Sequence, residues 1–163
     1  MNRALLASGK HDWRTPPEVL APIEAFAGRI ALDPCSGPDS IVRARVSIAP
    51  PEDGLAVDWR RRAKGGLIFC NPPYSEVAAW AKKASEEARH RAEIVLLVPA
   101  RTDTRWWQES IAPHADAVCF WKGRIRFLGG KDSAPFPTAV VYFGDRAKSF
   151  WRQLCAHGWV VRL

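Results

Sequence analysis

The sequence predicts one α/β domain: a sandwich on a largely parallel sheet, with an antiparallel hairpin at its C-terminal edge. Three observations lead there. Short apolar runs alternate with helical patterns through most of the chain. The later runs, Ala115 to Trp121 and Thr138 to Phe143, have no long helix between them, so they pair antiparallel. The 163 residues hold no repeat or low-complexity linker and read as a single domain, 1–163. A domain of that size buries roughly 70% of its unfolded surface and needs no disulfide or metal to fold.

The elements follow in order. Residues 1–10 lack periodicity and read as a loose arm. Thr15-Pro16-Pro17-Glu18 is a helix start, with Thr15 as cap, Pro16 in the first turn and Glu18 completing a capping box. Val19, Ile23 and Phe26 share a face, although Pro22 lacks the N–H a helix interior needs and predicts a short or kinked element. Arg29 to Leu32 is a short buried strand running into Asp33-Pro34, and Val42 to Ile48 alternates as a second strand. Gly66 to Cys70 is a central strand stopped at Asn71-Pro72-Pro73-Tyr74. Ser75 caps the clearest helix, whose apolar face is Val77, Ala81, Ala84 and Ala88. Glu93 to Val98 is another buried strand, Asp103 to Ile111 and Arg146 to His157 are helical, and Trp159 to Val161 is a last strand.

Composition narrows the function. Lys and Arg total 24 against 17 for Asp and Glu, a formal charge of +7 that favours an anionic partner, nucleic acid first. Solubility alone is the plain alternative. No apolar run reaches the ~18 residues of a membrane span, and the N-terminus does not read as a secretory signal; the expected location is cytoplasmic. Cys35, Cys70, Cys119 and Cys155 lie far apart, without metal-ligand spacing, so they read as reduced thiols with no metal site.

In parallel sheets ligands sit beyond the carboxyl ends of the strands, which singles out the loops opening at Asp33 and at Asn71. Asn71-Pro72-Pro73-Tyr74 is the most informative tetrapeptide. Its prolines stiffen the turn. The Asn71 side-chain oxygen and the Pro72 carbonyl can point the same way, as two rigid acceptors matched to a planar NH₂ group. Tyr74 offers a face on which a base can stack. A strand terminator followed by a helix cap is the purely structural alternative.

The tetrapeptide resembles the catalytic motif of amino-group methyltransferases that use S-adenosylmethionine. More narrowly, the chain resembles the small phage-type DNA N6-adenine methyltransferases (the Dam-like family). The match runs from Trp13-Arg14-Thr15-Pro16-Pro17 through Leu32-Asp33-Pro34-Cys35, Asp53-Gly54-Leu55 and Asp58-Trp59. It continues through Asn71 to Tyr74, Val98 to Thr104 and Gly123-Arg124-Ile125-Arg126-Phe127. The resemblance implies a Rossmann-like methyltransferase sandwich that moves a methyl group from S-adenosylmethionine to adenine N6 in double-stranded DNA, with the target base flipped out of the stack. Asn71, Pro72, Pro73 and Tyr74 are then the catalytic set. Thr15, Pro16 and Asp33 are implied at the methionine part of the cofactor, with Pro34 and Cys35 beside them; a carboxylate suits the cofactor's ammonium. Asp58 is a candidate for the cofactor's adenine amine and Asp53 a competing one for its ribose, and both stay open. One departure stands out: Cys35-Ser36-Gly37-Pro38 replaces the glycine-rich loop many methyltransferases carry after the first strand.

Arg60, Arg61, Arg101, Arg124 and Arg126 are the candidate nucleic-acid contacts. Trp59 beside Arg60-Arg61-Arg62 pairs an aromatic with a basic cluster, and Arg124 and Arg126 alternate so as to share a face. Trp106 and Trp107 cannot both face a core, so one is exposed or lines a cleft. Two other readings remain: methylation of RNA bases or protein glutamine, and a non-catalytic nucleic-acid-binding domain of the same fold. Recognition sequence and oligomeric state are not legible.

Overall fold

The computed structural model describes residues 13–163, and the arm expected over 1–10 lies outside them. In chain order the elements are α1 (Pro17–Ala27), β1 (Leu32–Asp33), β2 (Val46–Ser47), α2 (Trp59–Ala63), β3 (Ile68–Cys70), α3 (Val77–Arg89), β4 (Ile94–Pro99), β5 (Ala117–Trp121), β6 (Thr138–Phe143), α4 (Ala147–Leu154) and β7 (Gly158–Arg162). The strands form one sheet in the order β2-β1-β3-β4-β6-β5-β7.

From β2 to β4 the pairing is parallel. Beyond β4 it is antiparallel, and this part is wider than the expected hairpin. β6 enters between β4 and β5, antiparallel to both, and β7 adds outside β5. β5 therefore runs in the same direction as β4, with Phe120 level with Val98 across Ala139.

The central strands β3, β4 and β6 are buried on both faces, which explains their continuous apolar runs. Along β4, Ile94, Leu96 and Val98 enter one core with Trp59, Trp80 and Trp107, while Val95 and Leu97 enter the other with residues of α1 and α4. Alternation along one strand feeds two separate cores.

Several local expectations are corrected. Thr15 does not cap α1: Pro16 is the cap residue, with no side-chain bond, because the Thr15 hydroxyl is engaged elsewhere. Pro22 sits within the 11-residue helix, where burial of Val19, Leu20, Ile23 and Phe26 offsets the forfeited backbone bond. Ser75 does not cap α3; a 3₁₀ turn, Tyr74–Glu76, precedes it and Glu76 is the cap position. The helix expected over 103–111 is largely a π-helical turn, Trp107–Ile111, with Trp107 buried and Trp106 half-buried. Trp59, for all its basic neighbours, is a core residue: it is 0% exposed and its Nε1 donates to the Gly54 carbonyl at 2.7 Å.

The topology creates two opposed edges. The loops after β1, β3, β4 and β5 open at one edge; α2 and the C-terminal end of α3 lead back to the strand starts at the other.

Candidate active site

At the carboxyl edge, a cavity of about 280 Å³ opens between the loops after β1 and β3, lined by Thr15, Asp33, Cys35, Phe69, Asn71 and Pro72 among others. The strand order brings this about. β1 and β3 are parallel neighbours, with Leu32 opposite Ile68, so their following loops meet.

Asp33 is 3% exposed, and its Oδ1 accepts the Cys35 N–H at 3.0 Å. Burial pushes its carboxyl up to about 6, against the opposing pull of the Cys35 N–H and the Ser36 side chain. Among the described residues no cation pairs with it. A desolvated carboxylate at a cavity wall favours a cationic ligand group. The Cys35 thiol lines the same wall and is pushed up to about 12 by burial and by the charges of Asp33 and Glu76. Pro34 is buried behind the loop, and its carbonyl packs so closely on Gly54 that a Cβ there would lie 1.8 Å away. Only glycine lets the two loops meet.

Asn71 Nδ2 donates to the Trp13 carbonyl at 2.5 Å and to Thr15 Oγ1 at 3.0 Å. That fixes the amide and leaves Asn71 Oδ1 buried, with no partner among the described residues. Pro72 is buried, and the Pro73 carbonyl accepts the Glu76 N–H at 3.0 Å. Tyr74 is half-buried with its hydroxyl enclosed and, among the described residues, unpartnered; burial pushes that hydroxyl well above its usual range.

Tyr74 belongs to an aromatic group that the sequence did not reveal. Its ring is nearly parallel to Trp13 at 6.4 Å and edge-on to Phe136 at 5.3 Å and Phe127 at 6.0 Å. Adjacency of Trp13 to the Thr15-Pro16 segment was the one available signal. Phe127 and Phe136 come from the connection between β5 and β6, which Arg14 joins through a bridge to Leu128. The Arg14 guanidinium packs on Gly129, whose φ of 82° suits glycine and where a Cβ would lie 2.6 Å from Nη2. Residues from before α1, after β3 and after β5 thus form one cluster.

The other expected site residues divide by edge. Pro16 is the α1 cap position, one residue beyond the cavity wall at Thr15. Arg101 follows β4 and is half-buried at the same edge as Asn71. Arg124 and Arg126 are exposed there and flank the buried Ile125; the Arg126 guanidinium donates to the Lys131 carbonyl at 3.0 Å. Asp53 and Asp58 are outside the cavity lining. Asp53 accepts the Leu55 N–H at 2.9 Å in its own turn, and Asp58 caps α2 by accepting the Arg61 N–H at 2.8 Å. Arg60 and Arg61 lie on α2, toward the opposite edge. Among the described residues, no group of three potential metal-ligating side chains gathers.

A family model described as DNA N-6-adenine-methyltransferase (Dam) matches residues 3–140. The chain is 32% identical over 137 residues to a DNA N-6-adenine-methyltransferase of Escherichia phage T1, covering 84% of this chain and 56% of that protein. It is 25% identical over 147 residues to a DNA N-6-adenine-methyltransferase of Haemophilus phage HP1 (strain HP1c1), covering 86% and 82% respectively. The chain therefore spans little more than half the length of the phage T1 relative.

Proposed function

The chain belongs to the DNA N-6-adenine-methyltransferase (Dam) family, and from that membership we propose that it transfers a methyl group from S-adenosylmethionine to adenine N6 in double-stranded DNA. The observation that carries this reading is the buried Oδ1 of Asn71, without a partner among the described residues, on a residue lining a cavity that the carboxyl-bearing Asp33 also lines. One atom suits an amine donor and the other a cation.

Asp33 and Thr15 fit the methionine end of the cofactor: a desolvated carboxylate for its ammonium, a hydroxyl for its carboxylate. Pro34 and Cys35 shape that wall. When bound, the cofactor supplies an electrophilic methyl group on a sulfonium. An adenine amine is a poor nucleophile because its lone pair is delocalised into the ring. Asn71 Oδ1 and the Pro72 carbonyl would accept hydrogen bonds from its two N–H groups and favour a pyramidal nitrogen with an available lone pair; as the methyl group is transferred, one of these protons passes to solvent. Pro72 and Pro73 keep the acceptors rigid, so no reorganisation is needed as charge develops. The rate then comes from positioning and electrostatics, without a covalent enzyme intermediate.

Reaching the amine requires the base to leave the helix, and the Tyr74 ring with its aromatic neighbours would hold it once flipped. Arg101, Arg124 and Arg126, at the same edge, are the proposed phosphate contacts. We read the sheet as a Rossmann-like methyltransferase sandwich, a reading supported by helices on both faces and by β6 set antiparallel between β4 and β5. A DNA substrate would place the enzyme in the cytoplasm of a bacterium or infected host.

The test is methyl transfer from labelled S-adenosylmethionine to unmethylated duplex DNA, followed by nucleoside analysis. N6-methyladenine is the expected product. Label on cytosine, on RNA alone or on protein glutamine would replace this reading with another.

A further inference from the structure

The opposite edge of the sheet carries its own basic surface. Arg60, Arg61 and Lys64 are exposed on α2 and its C-terminal cap. Arg45 joins them, its guanidinium donating to the Ala63 carbonyl at 2.7 Å. Arg89 and Arg91 arrive from the end of α3. Arg60, Arg89 and Arg91 border one shallow depression and Arg45, Arg61 and Lys64 the next; Asp58 borders both, so the surface is continuous.

The nearby acids are largely committed elsewhere. Asp58 caps α2. Glu87 is buried, accepts the Trp59 and Arg60 N–H groups at 3.2 Å each, and pairs with Lys83 at 2.6 Å. Glu52 pairs with Arg62, and Glu86 with Lys82 at 3.9 Å. Among the described residues, no ion pair holds the side chain of Arg60, Arg61, Lys64 or Arg91.

Topology separates this surface from Asn71. α2 leads into the start of β3 and α3 into the start of β4, whereas Asn71 follows the end of β3. The six residues of β4 span about 20 Å between the edges. Arg60 and Asn71 thus lie toward opposite edges of the sheet.

We propose that the α2 surface is a second binding site for duplex DNA, so that one chain holds two DNA segments at once. The proposal rests on the DNA reading above. Guanidinium forks match phosphate oxygens, and a line of exposed arginines matches a polyanion with a charge every ~1.7 Å of axis. A second hold keeps the enzyme on DNA while the Asn71 edge releases one target and meets another, because rebinding becomes intramolecular.

The experiment compares the wild-type protein with an Arg60→Ala, Arg61→Ala, Lys64→Ala triple variant. Calorimetric titration with a duplex too short to reach both edges should give two duplexes per wild-type chain and one per variant chain. On long DNA, the slope of log affinity against log salt should become shallower by about three in the variant. Wild-type methylation of the short duplex reports separately on the underlying activity. An Arg60→Lys, Arg61→Lys variant should keep the wild-type slope, which separates charge from folding. One duplex per wild-type chain, with an unaltered slope in the triple variant, would overturn the proposal. The patch would then be a solvated surface or one for an acidic protein.

Discussion

Thr15 Oγ1 accepts a hydrogen bond from Asn71 Nδ2 at 3.0 Å, across 56 positions of sequence. With the Trp13 carbonyl as second acceptor, this contact decides which way the Asn71 amide faces and leaves Oδ1 without a partner among the described residues. Thr15 is thus placed to position Asn71 as well as to line the cavity.

A Thr15→Val variant keeps the shape and removes the hydroxyl. Loss of one such bond is worth about 1 kcal/mol, so kcat should fall by about 5- to 10-fold. Thr15→Ser should restore it. Steady-state kinetics with both substrates varied would check this; a change confined to cofactor KM would limit Thr15 to ligand binding.

Asp33 yields a prediction in which stability and binding move in opposite directions. Its carboxyl is raised from 3.8 to about 6 in the folded protein, so the fold holds that proton more tightly than the unfolded chain does. The resulting cost is absent below about pH 4, grows as pH rises through that window, and levels off above about pH 6 at about 3 kcal/mol. Asp33→Asn should therefore stabilise the ligand-free protein, more at pH 8 than at pH 5, in urea unfolding. The same variant should lose most of its affinity for S-adenosylmethionine. In the wild type that affinity should weaken as pH falls through about 6, because a protonated Asp33 offers an ammonium no charge.

The Tyr74 hydroxyl is enclosed and unpartnered, so the ring is the useful part. Tyr74→Phe should keep turnover within about threefold and leave stability equal or slightly higher, since an unsatisfied buried hydroxyl costs about 1–3 kcal/mol. Tyr74→Ala should lose both the stack with Trp13 and the hold on a flipped base. Turnover and thermal unfolding of the pair would separate ring from hydroxyl; a large loss of turnover in Tyr74→Phe would give the hydroxyl a direct role.

Arg124 is exposed at the Asn71 edge. If it touches a phosphate, Arg124→Ala should make the salt slope of DNA binding shallower by about one. A sequence-dependent loss with little change in slope would instead mark a base contact, and an unchanged affinity and slope would mark a solvated charge.

What the sequence conveyed follows from range. β4 and α3 were legible because periodicity is local, and so was Asp33, a carboxylate at a strand end. Thr15 was misread as a helix cap because its partner Asn71 is remote in sequence and meets it only through sheet topology. Trp59 stands beside three arginines in sequence, yet its place on α2 turns it into the core against Trp80, 6.1 Å away. Asp58 could have been read as the N-cap it is, since it directly precedes that helix. The aromatic cluster around Tyr74 needed the β5–β6 connection to fold back, which no local pattern announces.

In the proposed reaction Asn71 Oδ1 receives the target amine in a site whose cofactor end is Asp33. Single-turnover methyl transfer by Asn71→Ala, with the S-adenosylmethionine dissociation constant measured on the same sample, tests it most directly. Removing an aligned, preorganised acceptor should slow transfer on the order of 10²-fold or more while the dissociation constant stays near the wild-type value. Wild-type transfer rates in Asn71→Ala would contradict this role.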